Sequence, residues 1–225
     1  MNIAIIVAAG RGARMGGGVD KLFLELAGAP VIAHTWRQFD RCPAIAELVF
    51  VVRPDAREAF RAVAAGQGFR KPFHFADGGA ERQDSVWNGL ATAPDATSLV
   101  AIHDGARPCV TPALIAAVLE AARETGAAVA ASRLTDTVKE SADGRHISRH
   151  LERDRLWAVQ TPQAFRLEVI RRAIATAREQ GRVFTDDTAA CELIGQPVRL
   201  VAGDTPNPKV TTPHDLPAIE RLLQH

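Results

Sequence analysis

Three cations, Arg11, Arg14 and Lys21, stand within or just after a glycine-rich run, Ala8-Ala9-Gly10-Arg11-Gly12-Ala13-Arg14-Met15-Gly16-Gly17-Gly18-Val19-Asp20-Lys21. Glycines bare backbone N–H groups, and a row of such groups suits phosphate oxygens. With this much positive charge added, a triphosphate fits the run better than a dinucleotide does. A second group lies in His103-Asp104-Gly105-Ala106-Arg107-Pro108. The Asp104 carboxylate suits Mg²⁺, a hard cation that takes oxygen ligands and keeps several waters beside substrate phosphates. Arg107 can take an anionic substrate through paired hydrogen bonds. His103 is read as structural, because no second histidine stands at metal-ligand spacing. In Gly78-Gly79-Ala80-Glu81-Arg82-Gln83-Asp84-Ser85-Val86, backbone groups and Ser85 suit the edge of a base. Lys209 sits between Pro208 and Val210 in a turn that Pro206 and Pro208 stiffen.

Two common phosphate loops do not fit the first run. The dinucleotide fingerprint Gly-x-Gly-x-x-Gly fails at Met15, and the nucleoside-triphosphatase loop fails because Lys21 follows Asp20 and precedes Leu22. Gly-Arg-Gly-Ala-Arg-Met with a lysine seven residues after Arg14 is similar to the signature of sugar-phosphate nucleotidyltransferases. The bland alternative is a surface loop with solvated cations. It is disfavoured because the run follows directly on Ile3 to Val7, an apolar stretch that reads as a buried strand.

The elements that must position these groups alternate. Strands are expected at Ile3 to Val7, Glu47 to Val52, Pro72 to Phe75, Leu99 to His103, Ala127 to Ala131 and Val198 to Val201. Helices are expected from Pro30, with Ile32, Trp36 and Phe39 on one face, and at Arg57 to Ala65, Glu81 to Ala93 and Leu167 to Gln180. Thr111 should cap a helix with Pro112 at its first position, Thr185 should cap another, and Thr212-Pro213 should open the last. Strand-then-helix alternation predicts a doubly wound α/β fold with a mostly parallel sheet. Ligands in such sheets bind beyond the carboxyl ends of the strands, so the loops at Gly10, Gly78 and Asp104 are expected to converge. The rhythm breaks at 136–160, where a Ser141-Ala142-Asp143-Gly144 turn signal predicts an extended hairpin arm. An isolated hairpin is marginal in water, so the arm is expected to pack on a second subunit. One domain, residues 1–225, carries that arm at 136–160.

Composition excludes several classes. With 47% hydrophobic residues the chain can bury a sizeable core, and a net charge of +1 argues against nucleic-acid or membrane surfaces driven by bulk charge. Three cysteines without metal-ligand spacing read as reduced thiols. No run approaches the ~18 apolar residues of a membrane span. These features predict a cytoplasmic protein.

The ordered series of Ala-Ala-Gly-x-Gly-x-Arg-Met, Lys21, Gly-Gly-x-x-Arg-x-Asp-Ser-Val, His-Asp-x-Ala-Arg-Pro, Asp-Thr-x-Lys, Leu-Trp, Thr161-Pro162-Gln163, Thr185-Asp186-Asp187 and Asn207-x-Lys209-Val-Thr resembles the 2-C-methyl-D-erythritol 4-phosphate cytidylyltransferases, over nearly the full chain. The resemblance implies the nucleotide-diphospho-sugar transferase variant of the Rossmann fold. It implies that CTP and methylerythritol phosphate are joined with Mg²⁺ to give the CDP-alcohol and pyrophosphate. It implies a homodimer whose arms reach the partner's site. By the same resemblance, Gly10, Gly12, Arg14 and Lys21 hold the triphosphate, and Ala8, Ala9, Gly79 and Ser85 line the nucleotide. Asp104 orients the metal. Arg107, Thr185 and Lys209 position acceptor and α-phosphate, with Thr137 and Arg153 from the other subunit. Arg14, Lys21 and Lys209 are the expected catalytic cations. Asp20 stands where the family often has proline, and Ala80 where some members have aspartate. The alternatives are a cytidylyltransferase for another acceptor such as ribitol 5-phosphate, a nicotinamide dehydrogenase, against which Met15 argues, and a non-catalytic nucleotide sensor.

Overall fold

The structure, a computed structural model, describes residues 1–10 and 20–224. In chain order the elements are β1 (Asn2–Val7), β2 (Glu25–Leu26), β3 (Ala29–Pro30), α1 (Val31–Arg41), β4 (Glu47–Val52), α2 (Arg57–Gln67), β5 (Phe73–Asp77), α3 (Arg82–Ala91), β6 (Leu99–Asp104), α4 (Pro112–Thr125), β7 (Ala127–Arg133), β8 (Lys139–Glu140), β9 (Arg149–His150), β10 (Trp157–Arg166), α5 (Leu167–Glu179), α6 (Thr188–Glu192), β11 (Arg199–Ala202) and α7 (Leu216–Leu223).

Seven strands form one sheet in the order β11-β7-β10-β6-β1-β4-β5. Only β10 runs against its neighbours, β6 and β7; the other pairings are parallel. Side-chain alternation divides the core in two. Ala4 and Ile6 of β1, Leu48, Phe50 and Val52 of β4 and Ala101 of β6 face α1, α2, α4 and α7. Ile3, Ile5, Val49, Val51, Val100 and Ile102 face α3, α5 and α6. A strand covered on both faces needs apolar residues at both alternate sets, so these strands read as continuous apolar runs. The expected doubly wound fold is therefore present. Trp36 fixes α1 to the sheet edge: its ring lies 4.1 Å from Phe50, 4.6 Å from Phe69 and 4.8 Å from Phe73.

Three local expectations change. Residues 157–160, assigned from sequence to the arm, belong to the central sheet: Trp157 pairs with Arg133, Ala158 with Ser132 and Val159 with Ala131. Proline inside a central strand argues against a strand, and Pro162 hides β10 for that reason. The strand accommodates it where the register shifts between Val159 and Gln163. The hairpin itself is short, with β8 pairing β9 as a separate two-stranded ribbon whose residues are mostly exposed. Thr185 does not cap the next helix. The N-cap is Asp187, whose side chain makes no capping bond, and the Asp186 carboxylate just before it accepts from Ala189 N–H at 3.0 Å and Thr188 Oγ1 at 2.6 Å in the first turn of α6. Thr111 caps α4 and a Thr212–Asp215 capping box opens the C-terminal helical segment, as expected.

Candidate active site

The chain leaves β1 toward β4 on one side, while β6 lies on the other. Such a reversal opens a crevice beyond the carboxyl ends of the strands, and a cleft of about 550 Å³ lies there. Its walls come from Ala8–Gly10 after β1, Arg53 after β4, Gly78–Arg82 after β5 and Asp104 at the end of β6. Lys21 and Lys209 close it.

Both ends of the glycine run are held. Ala8 N–H donates to Val51 C=O at 2.8 Å, continuing the β1–β4 ladder past the strand. Arg53 donates to Ala9 C=O at 3.5 Å and to Asp20 Oδ2 at 2.9 Å, so one guanidinium spans the entry and exit of the run. Lys21 reaches across the cleft and donates to Val210 C=O at 2.7 Å. Gly12 and Arg14, expected to bind triphosphate, lie outside the described residues.

The expected base-reading loop packs hard against that run. A Cβ on Gly78 would overlap the Cβ of Ala9, and one on Gly79 would overlap Asp84. Only glycine allows backbone to approach this closely. Ser85 is buried, and its hydroxyl accepts from Gly79 N–H at 3.0 Å and donates to Glu81 C=O at 3.3 Å. The Ser85 hydroxyl thus shapes the Gly79 backbone that faces the cleft.

Beside the cleft lies a second cavity of about 250 Å³ lined by Arg107, Gln160, Thr161, Thr185 and Asp186, and it shares Arg82, Asp104 and Lys209 with the first. Those three side chains therefore stand between the two spaces. Asp104 Oδ2 lies 2.7 Å from Lys209 Nζ and 3.8 Å from Arg107 Nε, and Oδ1 lies 3.5 Å from Arg82 Nε. Burial pushes the Asp104 carboxyl up, but Lys209, Arg82 and Arg107 overcome this and hold it well below the usual carboxylate range. Arg107 also donates to Asn207 C=O at 2.7 Å, anchoring the turn that carries Lys209.

Beneath this cluster His103 plays the structural part expected of it. Asp104 N–H donates to Thr161 Oγ1 at 3.1 Å, which leaves the Thr161 hydroxyl proton for His103 Nδ1 at 3.0 Å. The ring must then carry its proton on Nε2, which donates to Arg107 C=O at 3.2 Å. Full burial pushes the imidazole down to about 3, so it stays neutral.

The structure thus brings together Ala8, Ala9, Gly10, Lys21, Gly79, Ser85, Asp104 and Lys209 in one cleft, with Arg107 and Thr185 in its neighbour. Thr137 and Arg153 line neither. They meet Glu152 and Asp154 in a separate concavity of about 460 Å³ at the base of the arm. Sequence reasoning missed Arg53, Arg82 and Asp187. Arg82 and Asp187 stood inside quoted motifs, but their partners lie far away in sequence. Arg53 had no local signal beyond its place at a strand end.

Chemically, the arrangement offers cations for phosphate, a close-packed backbone loop that could face a base, and one carboxylate matched by three cations. A second, cation-lined space adjoins it for another anion. The family model described as IspD: 2-C-methyl-D-erythritol 4-phosphate cytidylyltransferase matches residues 2–225. The cytidylyltransferase of that name from Pelotomaculum thermopropionicum is 46% identical over 223 residues, covering 98% of this chain and 93% of the relative. Among solved structures, the 4-diphosphocytidyl-2C-methyl-D-erythritol synthase of Anaerococcus prevotii superposes with a TM-score of 0.87 at 28% identity, covering 100% of this chain and 98% of the other. The 2-C-methyl-D-erythritol 4-phosphate cytidylyltransferase of Thermus thermophilus superposes with a TM-score of 0.78 at 33% identity, each chain covered in full at 100%. With the family model matching nearly the whole chain and a relative 46% identical over 98% of it, the chain belongs to the 2-C-methyl-D-erythritol 4-phosphate cytidylyltransferase family.

Proposed function

We propose that the protein transfers the cytidylyl group of CTP to 2-C-methyl-D-erythritol 4-phosphate, releasing pyrophosphate, a step of the non-mevalonate route to isoprenoids. The observation that carries this reading is the pair of adjoining cavities with Arg82, Asp104 and Lys209 between them. A nucleotide in the larger and an acceptor phosphate in the smaller would meet at those residues. An acceptor phosphate oxygen attacks the α-phosphorus of CTP. The new P–O bond forms as the bond to the β-phosphate oxygen breaks, and pyrophosphate leaves with those electrons. The nucleophile is already an anion, so no general base is required. Catalysis is then positioning and charge stabilisation. Lys21 and Lys209, with Arg14 from the glycine run, supply positive charge where it is needed. Arg107 and Thr185 line the acceptor side.

A magnesium ion fits this donor set. Among the described residues no three metal-binding side chains cluster, so a dedicated protein cage is absent from them. Asp104, which lines both cavities, offers a hard carboxylate whose present counter-cations are Lys209, Arg82 and Arg107. One carboxylate with substrate phosphates and waters is the usual Mg²⁺ arrangement. When bound, the ion would neutralise charge on the triphosphate. Asp104 would hold it, and Lys209 and Arg82 would keep that carboxylate ionised.

We further infer a homodimer in which Thr137 and Arg153 of each arm complete the acceptor side of the partner's site. Their concavity shares no lining residue with either cavity of their own chain, which supports a role in trans. Three buried free cysteines support work in a reducing cytoplasm. No helix among the described residues is long and apolar enough to cross a membrane.

The experiment is pyrophosphate release over a panel of CTP, UTP, ATP and GTP with methylerythritol, ribitol and other sugar-alcohol phosphates. Strong preference for CTP with methylerythritol phosphate is expected. Equal turnover of a purine nucleotide would refute the base assignment, and faster turnover of ribitol 5-phosphate would refute the acceptor.

A further inference from the structure

Arg82 is the first residue of α3, directly after the loop that closes the nucleotide cleft, yet its guanidinium points toward the acceptor side. Its NH1 lies 2.8 Å from Asp187 Oδ2 and its Nε 3.5 Å from Asp104 Oδ1. Asp187 closes the Thr185–Asp187 segment, whose first two residues line the acceptor cavity. The Asp187 side chain is only 2% exposed, and its backbone N–H is tied to Gln163 Oε1 at 3.0 Å. A buried carboxylate left without a counter-charge is strongly unfavourable, and the ion pair with Arg82 offsets part of that cost at Asp187.

We propose that Arg82 is a positioning residue for the transfer step: one guanidinium aims Asp104 and pins the acceptor segment through Asp187. The planar fork matters. Arginine can meet two carboxylates from two directions, whereas a lysine ammonium at the same site is a single point charge on a flexible stem. The inference rests on the functional reading above, since it assigns the second cavity to the acceptor. Its physical core, the grip on residues 185–187, does not depend on which acceptor binds.

The test compares Arg82→Lys, Arg82→Gln and the double variant Arg82→Gln/Asp187→Asn, which removes both charges together. With CTP and methylerythritol phosphate, Arg82→Gln should lose about 10²-fold in kcat/KM for the acceptor, the scale of an ångström of misplacement. Binding of a non-hydrolysable CTP analogue should change less than about threefold, a small shift on the affinity scale. The double variant should regain the wild-type melting temperature within about 2 °C but remain at least tenfold down in kcat/KM, about one decade of barrier. Arg82→Lys should keep the melting temperature and still lose activity. A double variant that recovered both stability and activity would reduce Arg82 to a stabilising ion pair and overturn the proposal. Unchanged acceptor kcat/KM in Arg82→Gln would overturn it too. Amide exchange needs no substrate. The Asp187 N–H should exchange at least tenfold faster in Arg82→Gln, the sign of a locally opened segment. Unaltered exchange there would overturn the proposal even if the acceptor assignment stood, whereas faster exchange in an enzyme inert toward methylerythritol phosphate would sustain it and refute only that acceptor.

Discussion

Substituting Gly78→Ala should drive apart the two loops that line the nucleotide cleft, and the structure sets the size of the effect. The added methyl would fall far inside contact distance of Ala9 Cβ, with Ser85 Oγ a further 3.7 Å neighbour. Carbon atoms rest about 3.5–4.0 Å apart, so the loops must separate by roughly an ångström. A shift of that size at a reacting centre costs on the order of 10²-fold, or about 2.7 kcal/mol of barrier at 1.36 kcal/mol per decade. Overpacking also destabilises by about 1–3 kcal/mol, a fall of several degrees in a chain of this length. The geometry prescribes its own rescue. Ala9→Gly removes the opposing methyl, so Gly78→Ala/Ala9→Gly should recover kcat/KM for CTP to within about tenfold of wild type, the residue of added backbone freedom at position 9. Gly79→Ala is the control. Its methyl would meet Asp84 backbone carbon at 2.9 Å, and no change at position 9 relieves that. The assay is pyrophosphate release at saturating acceptor with melting temperature in parallel. A Gly78→Ala single variant within about threefold of wild type, under half a decade, would refute the argument. So would a double variant no better than the single.

Arg53→Ala should raise KM for CTP about tenfold, one lost charge-assisted contact, with KM for the acceptor nearly unchanged. Asp20→Asn should raise KM for CTP less, since Arg53 still reaches Ala9 C=O, and the double variant should be no worse than Arg53→Ala, since the Arg53–Asp20 pair is lost in both; strict additivity would show that this pair does not hold the glycine run. Subunit mixing tests the arm: Arg153→Ala and Lys21→Ala chains should each be poor alone, while hybrid dimers regain one good site because both lesions fall in the other. Hybrids that demonstrably form but stay inactive would place Arg153 in its own chain's site. Asp215→Asn should loosen the turn behind Lys209. The Thr211 hydroxyl, with the Thr212 and Thr211 amides, pulls the Asp215 carboxyl down to about 2, below its unfolded value near 3.9. Its contribution is therefore present above about pH 4 and lost as pH falls through about 2, and in a group still open to solvent screening it amounts to under about 1 kcal/mol. Urea titrations of the variant should lack that acid limb, and parallel limbs in both proteins would exclude the cap.

What the sequence made legible follows from the range of the forces involved. β1, β4 and β6 are covered on both faces, so residues 3–7, 48–52 and 99–102 are unbroken apolar runs and announce themselves. The glycine loops are visible because close backbone approach leaves no other residue type available. By contrast, β10 carries Pro162 at a register shift, and a local rule rejects it although long-range pairing with β6 and β7 overrides that rule. The β2–β3 hairpin turns through Ala27 at φ 47°, a position where alanine gives no turn signal. The site divides in the same way. Lys21, Asp104 and Lys209 declare themselves by local context. Arg53 and Arg82 act on partners tens of residues distant, and a charged residue on a loop reads as solvated until the partner is in place.

The placement of the two carboxylates has an electrostatic reason. Arg82, Arg107 and Lys209 crowd around one point, all within 3.8 Å of Asp104 oxygens. Unit charges about 6 Å apart repel by roughly 3 kcal/mol at an effective dielectric near 20, so three cations alone would splay apart. Asp104 and Asp187 hold them at the junction of the two cavities before any phosphate arrives. The positive charge is thereby preorganised, and a bound phosphate would meet it without waiting for side chains to gather. This is the condition under which fixed charge lowers a barrier most.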